Sequence, residues 1–142
     1  MRKHHIVISS VDYDRLLKLI DSARLDWRVA PDNLHALEGE LVRATVVDPA
    51  ELPSDVVALG STVWFRDLDT EETERYMLVV PGEADIVQHR ISVLAPIGTG
   101  LLGFRTGDIV EWRVPLGRRR LEITEVSQAG TAAQTEPAEM AA

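Results

Sequence analysis

Apolar residues keep two different rhythms along this chain, and the change between them divides it. Before about residue 45 they recur at three and four positions; from Val56 onward they alternate or gather in short runs. Tyr13, Leu16, Leu17 and Ile20 follow Ser9 and Ser10 at helical spacing, which predicts an amphipathic helix reaching about Asp26. Ser9 and Ser10 are candidate N-caps, and Asp12 and Asp14 lie in the first turn, where the positive end of the helix dipole favours them. Pro31-Asp32-Asn33 opens a second helix with Leu34, Leu37 and Leu41 on one side. Gly39 inside it costs about 1 kcal/mol relative to Ala. Two short amphipathic helices joined by a tight tip predict an antiparallel hairpin, each sealing the other's apolar stripe.

Val46-Val47-Asp48-Pro49 and Leu52-Pro53-Ser54 read as a Pro-punctuated linker, residues 47–55, around a brief turn. Beyond it, residues 62–66 and 74–80 flank the acidic turn 67–73 and predict a β-hairpin. Residues 91–94, 109–114 and 121–126 read as further strands, the last two joined across 115–119. Pro96 sits where a helix can start, because its fixed φ suits the first turn and its missing N–H is not needed there. Leu101 and Leu102 give that short helix an apolar side, Gly103 can end it, and Gly107-Asp108 turns the chain. The fold class expected is α+β: residues 1–46 with the helical hairpin, then residues 56–126 as an antiparallel sheet covered on one face by the one short helix. Residues 127–142 hold no large apolar side chain except Met140 and are expected to form a disordered tail.

Composition narrows the function classes. The 142 residues carry a net charge of −8, a poor basis for gripping phosphate backbones, since that affinity comes mostly from Lys and Arg. The sign suits a protein partner instead. With no Cys, disulfides, thiolate metal sites and thiol nucleophiles are excluded. No apolar run approaches the roughly 18 residues of a membrane span. The opening Met1-Arg2-Lys3-His4-His5-Ile6-Val7-Ile8 is too short in apolar residues for a signal-peptide core, so a soluble, cytoplasmic protein is expected.

Candidate chemistry is sparse. Gly98-Thr99-Gly100-Leu101-Leu102-Gly103 matches G-x-G-x-x-G after a strand. A dinucleotide site also needs a βαβ unit and a full helix after the glycines, whereas Gly107-Asp108 breaks the chain four residues later. The glycines are better read as serving tight turns and close helix–sheet packing. Among the histidines, His4 and His5 are adjacent and terminal, while His35 and His89 stand alone, and no H-E-x-x-H is present; no metal site is expected. No G-x-S-x-G motif is present. Asp67, Asp69, Glu71, Glu72 and Glu74 read as a solvated hairpin turn, with a cation site as the alternative. Neither a cofactor nor an enzymatic activity is expected.

Residues 83–112, EADIVQHRISVLAPIGTGLLGFRTGDIVEW, carry a resemblance to a known family. The order of Glu83-Ala84-Asp85, Ile91-Ser92, Ala95-Pro96-Ile97, Leu101-Leu102-Gly103 and Gly107-Asp108 resembles the C-terminal domain of the Gre transcript-cleavage factors. The variant with Leu94-Ala95-Pro96 and a short N-terminal part looks most like the Rnk family, the regulators of nucleoside diphosphate kinase. The resemblance spans roughly residues 6–126 and implies an FKBP-like C-terminal domain. It further implies a cytoplasmic, non-enzymatic transcription regulator that binds RNA polymerase, at the coiled coil of the β′ subunit on the secondary-channel rim, and competes there with Gre-type factors. Direct nucleic-acid or membrane binding is not expected, and a monomer is. The docking positions that the resemblance implies are Glu83, Asp85, Leu94, Ala95, Pro96, Ile97, Leu101 and Leu102, with Leu94 replacing a residue that tends to be polar in Gre factors. The alternative is that Ile97, Leu101 and Leu102 face the sheet, which helical spacing favours for at least one of them. Gre factors insert a long hairpin whose acidic tip helps hold a catalytic magnesium ion. Here the tip carries Asp26, Trp27, Arg28 and Asp32 without a closely spaced acidic pair, so cleavage stimulation is not expected. Two rivals remain: a prolyl isomerase on an FKBP-like fold, which seven aromatic residues leave poorly equipped for an aromatic-lined pocket, and a direct protein-binding regulator of another enzyme. An effect on nucleoside diphosphate kinase would most simply be indirect.

Overall fold

The computed structural model describes residues 6–114 and 117–128. The chain opens with β1 (Val7–Ser9), runs straight into α1 (Ser10–Ala23), then α2 (Pro31–Arg43) and β2 (Thr45–Val47). Ser9 is the N-cap, its Oγ accepting from Asp12 N at 3.1 Å, which satisfies one of the helix's free donors. The helix ends at Ala23, three residues before Asp26, and Arg24 N–H returns to Ile20 O. Pro31 starts α2 as expected, and Leu34, Leu37 and Leu41 are all buried. Gly39 does not interrupt it.

β2 was not legible as a strand. It pairs in parallel with β1, Ile8 opposite Val46, and Thr45 N donates to Ile6 O at 2.9 Å. Only three residues long and mostly exposed, it lacks the alternation that marks a half-buried strand. Its pairing to β1 ties the two ends of the helix pair together.

The main sheet contains β3 (Thr62–Asp67), β4 (Thr73–Val79), β5 (Arg90–Ser92), β6 (Ile109–Val114) and β7 (Gly117–Ser127), with α3 (Pro96–Leu101) between β5 and β6. The order is β5-β4-β3-β7-β6. Every neighbouring pair is antiparallel except β4 and β5, which run parallel with Leu78 opposite Ile91. The expected antiparallel sheet is thus mostly so. The exception has a physical reason: the chain leaves β4 through two short 3-10 turns, Pro81–Glu83 and Ile86–Gln88, long enough to return it in the same direction. Between Trp64 and Phe65 the β3–β7 register slips by one residue. Thr124 falls in that bulge and donates its hydroxyl to Trp64 O at 3.1 Å.

One continuous core joins the two rhythms of the chain. Ile6, Leu16, Ile20 and Leu37 belong to the same buried cluster as Phe65, Leu78, Leu101 and Ile123. Gly103 marks the contact. It has φ +80, and a Cβ there would lie 2.2 Å from the Ile6 Cβ, so both conformation and space demand glycine. Gly98 is equally constrained, because its Cβ would lie 2.0 Å from Ser92 O. Gly98 and Gly103 of the G-x-G-x-x-G string therefore serve close packing, whereas a Cβ at Gly100 would meet only Val110 at an ordinary 3.5 Å.

Asp69, Glu71 and Glu72 are exposed, as a solvated hairpin turn requires, and Asp67 alone of the acidic run is buried. Asp67 is 6% exposed. Its Oδ1 accepts from Asp69 N and Thr70 N at 2.8 and 3.1 Å, and its Oδ2 from Arg119 Nε and NH2 at 3.1 and 2.9 Å. These bonds, the backbone N–H donors foremost, hold its carboxyl below the usual range. Asp67 builds the turn and is not part of a loose charge run.

At the far end, β7 includes Ser127, paired with Thr62, and Gln128 Nε2 donates to Pro53 O and Val56 O at 2.7 and 2.8 Å. Those two residues of the expected tail belong to the fold, while 129–142 lie outside the described residues. No helix among the described residues is long and apolar enough to cross a membrane.

Candidate functional site

The connection from β4 to α3 brings most of the expected docking residues to one region, but not with their side chains outward. Glu83 and Asp85 are exposed, as is Pro96, and Ala95 is half-buried. Leu94, Leu101 and Leu102 are 6%, 1% and 0% exposed. Ile97 is half-buried and packs on the core. The cause lies in α3 itself. Only six residues long, it is drawn onto β5 by Gly98 and by Thr99, whose hydroxyl donates to Val93 O at 2.6 Å. A helix seated that closely turns its large side chains under the sheet. The expected contact roles of Leu94, Leu101 and Leu102 are therefore corrected: these side chains support the surface from beneath and offer no area to a partner.

The apolar surface lies a few residues earlier. Ile86 and Val87 are 65% and 84% exposed, although both are branched apolar residues. They sit on a closed knuckle. Asp85 N donates to Arg90 O at 3.0 Å, Arg90 N to Asp85 O at 2.9 Å, and Gln88 N to Asp85 O at 3.0 Å. The Asp85 Oδ1 caps the turn by accepting from Val87 N at 3.1 Å. His89 closes the knuckle in the left-handed conformation, φ 60 and ψ 41, uncommon for a residue with a Cβ. Nothing in the alternation pattern marks Ile86 and Val87 as exposed. The turn-forming Asp85 ahead of them was the one available signal.

The connection between α1 and α2 carries the other candidate set. Trp27 is 90% exposed and Leu25 is 89% exposed. Asp26 folds back on Arg28, its Oδ1 accepting from Arg28 N and Nε at 2.9 Å each and its Oδ2 from NH2 at 3.0 Å. Those hydrogen bonds lower the Asp26 pKa and raise that of Arg28. Asp32 stands exposed in the first turn of α2. Beside the tip, Arg24 and Glu38 form an ion pair across the helices. They border an open groove of about 400 Å³ that Val29 and Leu34 also line.

The comparisons with known proteins agree with this layout. The description of the GreA/GreB transcription elongation factor C-terminus matches residues 52–128, and that of the Rnk N-terminus matches residues 4–47. A transcription elongation factor GreA from Clostridium botulinum (strain Hall) is 38% identical over 109 residues, covering 77% of this chain and 68% of the relative. A GreA from Clostridium beijerinckii is 38% identical over 108 residues, covering 76% and 68%. Among solved structures, the prokaryotic transcription elongation factor GreA/GreB from Nitrosomonas europaea is 43% identical. It covers 88% of this chain and 99% of that one, with a TM-score of 0.73.

Proposed function

The chain belongs to the Rnk family, whose C-terminal part is that of the GreA and GreB transcription elongation factors, and from that premise we propose that it is a transcription regulator that binds RNA polymerase. Its target is the coiled coil of the β′ subunit at the secondary-channel rim. The observation that carries this reading is the knuckle: Ile86 and Val87, 65% and 84% exposed, stand on a backbone-locked turn beside the exposed carboxylates of Glu83 and Asp85. An apolar centre with a charged border is the composition of a protein interface. Ala95 and Pro96 extend the surface toward α3. On this reading the helix pair is a short antiparallel hairpin and the sheet with α3 an FKBP-like module.

The regulator acts by occupancy and not as an enzyme. A magnesium ion requires carboxylate oxygens free to coordinate at about 2.1 Å, and both Asp26 oxygens are engaged by Arg28. The 14 residues of α1 span only about 21 Å at 1.5 Å per residue. The protein works as a monomer in the cytoplasm, without direct nucleic-acid contact, and changes nucleoside diphosphate kinase only through transcription.

The test is binding to purified core RNA polymerase, competition with a Gre factor, and transcript cleavage in a backtracked complex. Binding, reduced Gre-driven cleavage and no cleavage by the protein alone are expected. Ile86→Asp with Val87→Asp should weaken binding at least thirtyfold, about 2 kcal/mol of lost contact, while circular dichroism stays native because both side chains face water. A folded double variant that binds as well as the wild type would remove the knuckle from the interface. Cleavage by the protein alone that is lost on Asp26→Ala would overturn the occupancy mechanism.

A further inference from the structure

We infer that His89 is the positioning residue that holds the Ile86–Val87 knuckle in one presented conformation, so that the protein meets its partner with this surface already ordered. The role rests on the polymerase-docking reading for its consequence, but its physical basis is local. Two exposed branched side chains on a short surface turn gain nothing from the solvent that would fix them. Hydrogen bonds through Asp85 close the turn on itself, and three attachments at His89 tie it to the sheet. Its backbone carbonyl accepts from Met77 N at 2.8 Å, which ties the end of the knuckle to β4. Its Nδ1 lies 2.8 Å from Arg75 O; a carbonyl oxygen only accepts, so Nδ1 carries the proton and donates. Its ring stacks on Tyr76, centroids 5.0 Å apart at 22°, and Tyr76 in turn stacks on the buried Phe65 at 5.8 Å.

The left-handed backbone at His89 adds to the demand on these attachments. An L-residue in that conformation crowds its Cβ against the following carbonyl, a strain that the anchored ring offsets at this end of the knuckle. Strained residues of this kind persist where the surroundings over-determine them, and they cluster at binding surfaces. The anchoring extends from the core through Phe65 and Tyr76 to His89, and the knuckle sits at its outer end. Pre-ordering a contact loop improves affinity because the cost of ordering it no longer falls on the binding step.

The experiment separates positioning from docking. His89→Gly accepts the left-handed conformation but removes the donor and the ring. His89→Asn tolerates that conformation as well, and its amide nitrogen stands where Nδ1 stood. Amide hydrogen exchange of residues 87–89 is read in the free proteins, and affinity for core polymerase in parallel. The expected result is exchange at least tenfold faster in His89→Gly than in wild type, recovery toward wild type in His89→Asn, and a polymerase affinity that follows the same order over about tenfold. Tyr76→Leu, which removes the stacking face, should loosen the same amides. Unchanged exchange in both His89→Gly and Tyr76→Leu overturns the positioning role. Faster exchange with full polymerase affinity overturns its consequence for binding. If the wild type itself does not bind polymerase, the docking reading falls and exchange alone decides the role of His89.

Discussion

Asp12 offers the sharpest quantitative test of how the helix pair is fixed to the sheet. It sits at the third position of α1, 7% exposed, where a carboxylate can reach back to the helix cap. Instead its Oδ2 accepts from Leu59 N at 3.1 Å, 47 residues away, with Arg15 3.8 Å from its other oxygen. Burial pushes its pKa up, against the lowering effects of Leu59 and Arg15. The fold therefore disfavours the ionised form while still using its oxygen. Two substitutions separate those effects. Asp12→Asn removes the charge and keeps an acceptor for Leu59; Asp12→Ala removes both and leaves a buried N–H unmet, which costs about 1–3 kcal/mol. Urea denaturation at pH 7 should place the Ala variant below the Asn variant by that amount, on the order of 1 M in the midpoint. The pH dependence carries the sign. Because the folded pKa lies above the unfolded one, the folded state binds the extra proton in the window above about pH 4, and wild-type stability from this group rises as pH falls through it. The Asn variant has no such group, so its margin over wild type should be largest at pH 7 and shrink as pH falls. A margin that widens on acidification, or an Ala variant as stable as the Asn variant, would refute the reasoning.

Asp67 should behave with the opposite sign: its depressed pKa contributes stability above the unfolded value that is lost as pH falls through the folded one. Asp67→Asn should then be destabilised at pH 7 and converge on wild type below about pH 4 in the same urea assay. Gly98→Ala places a Cβ 2.0 Å from Ser92 O, a backbone atom with nowhere to go, and should cost about 2–3 kcal/mol; a loss under 0.5 kcal/mol would mean that α3 can shift freely on β5. Gly39→Ala meets nothing nearer than the Arg43 side chain at 3.8 Å and should raise the thermal midpoint, since Ala stabilises a helix interior by about 1 kcal/mol over Gly.

The elements with their own periodicity were legible. Leu34, Leu37 and Leu41 announce α2 at three- and four-residue spacing, and Pro31 marks its start within the chain. The β3–β4 hairpin was legible from alternation around a polar turn. What escaped was set by partners distant in sequence. β2 is a strand only because β1, some 38 residues earlier, pairs with it. Asp12 looked like a helix-end charge because Leu59 could not be seen. The direction of the side chains around α3 escaped in the same way. Leu101 and Leu102 were apolar residues on a short helix, and only the approach allowed by Gly98 determines that they turn inward. Ile86 and Val87 were two more apolar residues in a loop, and only the locked turn turns them out. Side-chain type was readable, but side-chain direction depended on tertiary contacts.

The same contacts constrain how the proposed regulator can act. Ile6 against Gly103, Asp12 on Leu59 and the shared core fix the helix pair to the module that bears the knuckle. Fixing the knuckle on a partner therefore also fixes where the tip of the helix pair stands, with no linker free to let it search. At that tip Asp26 is paired with Arg28 and Arg24 with Glu38, Asp32 stays exposed, and the large apolar side chains facing outward are Leu25 and Trp27. Exposed ion pairs of this kind are screened by salt and contribute little to association. Any contact the tip makes is then one of apolar and aromatic area, which salt leaves largely intact. The knuckle, with Glu83 and Asp85 beside it, is the salt-sensitive end. Raising ionic strength should weaken encounter through the knuckle while sparing the tip, and a salt series on wild type and Trp27→Ala assigns each end its share. Equal salt sensitivity after loss of Trp27 is the expected outcome, and a shallower slope in the variant is the result that contradicts a tip whose contact is apolar.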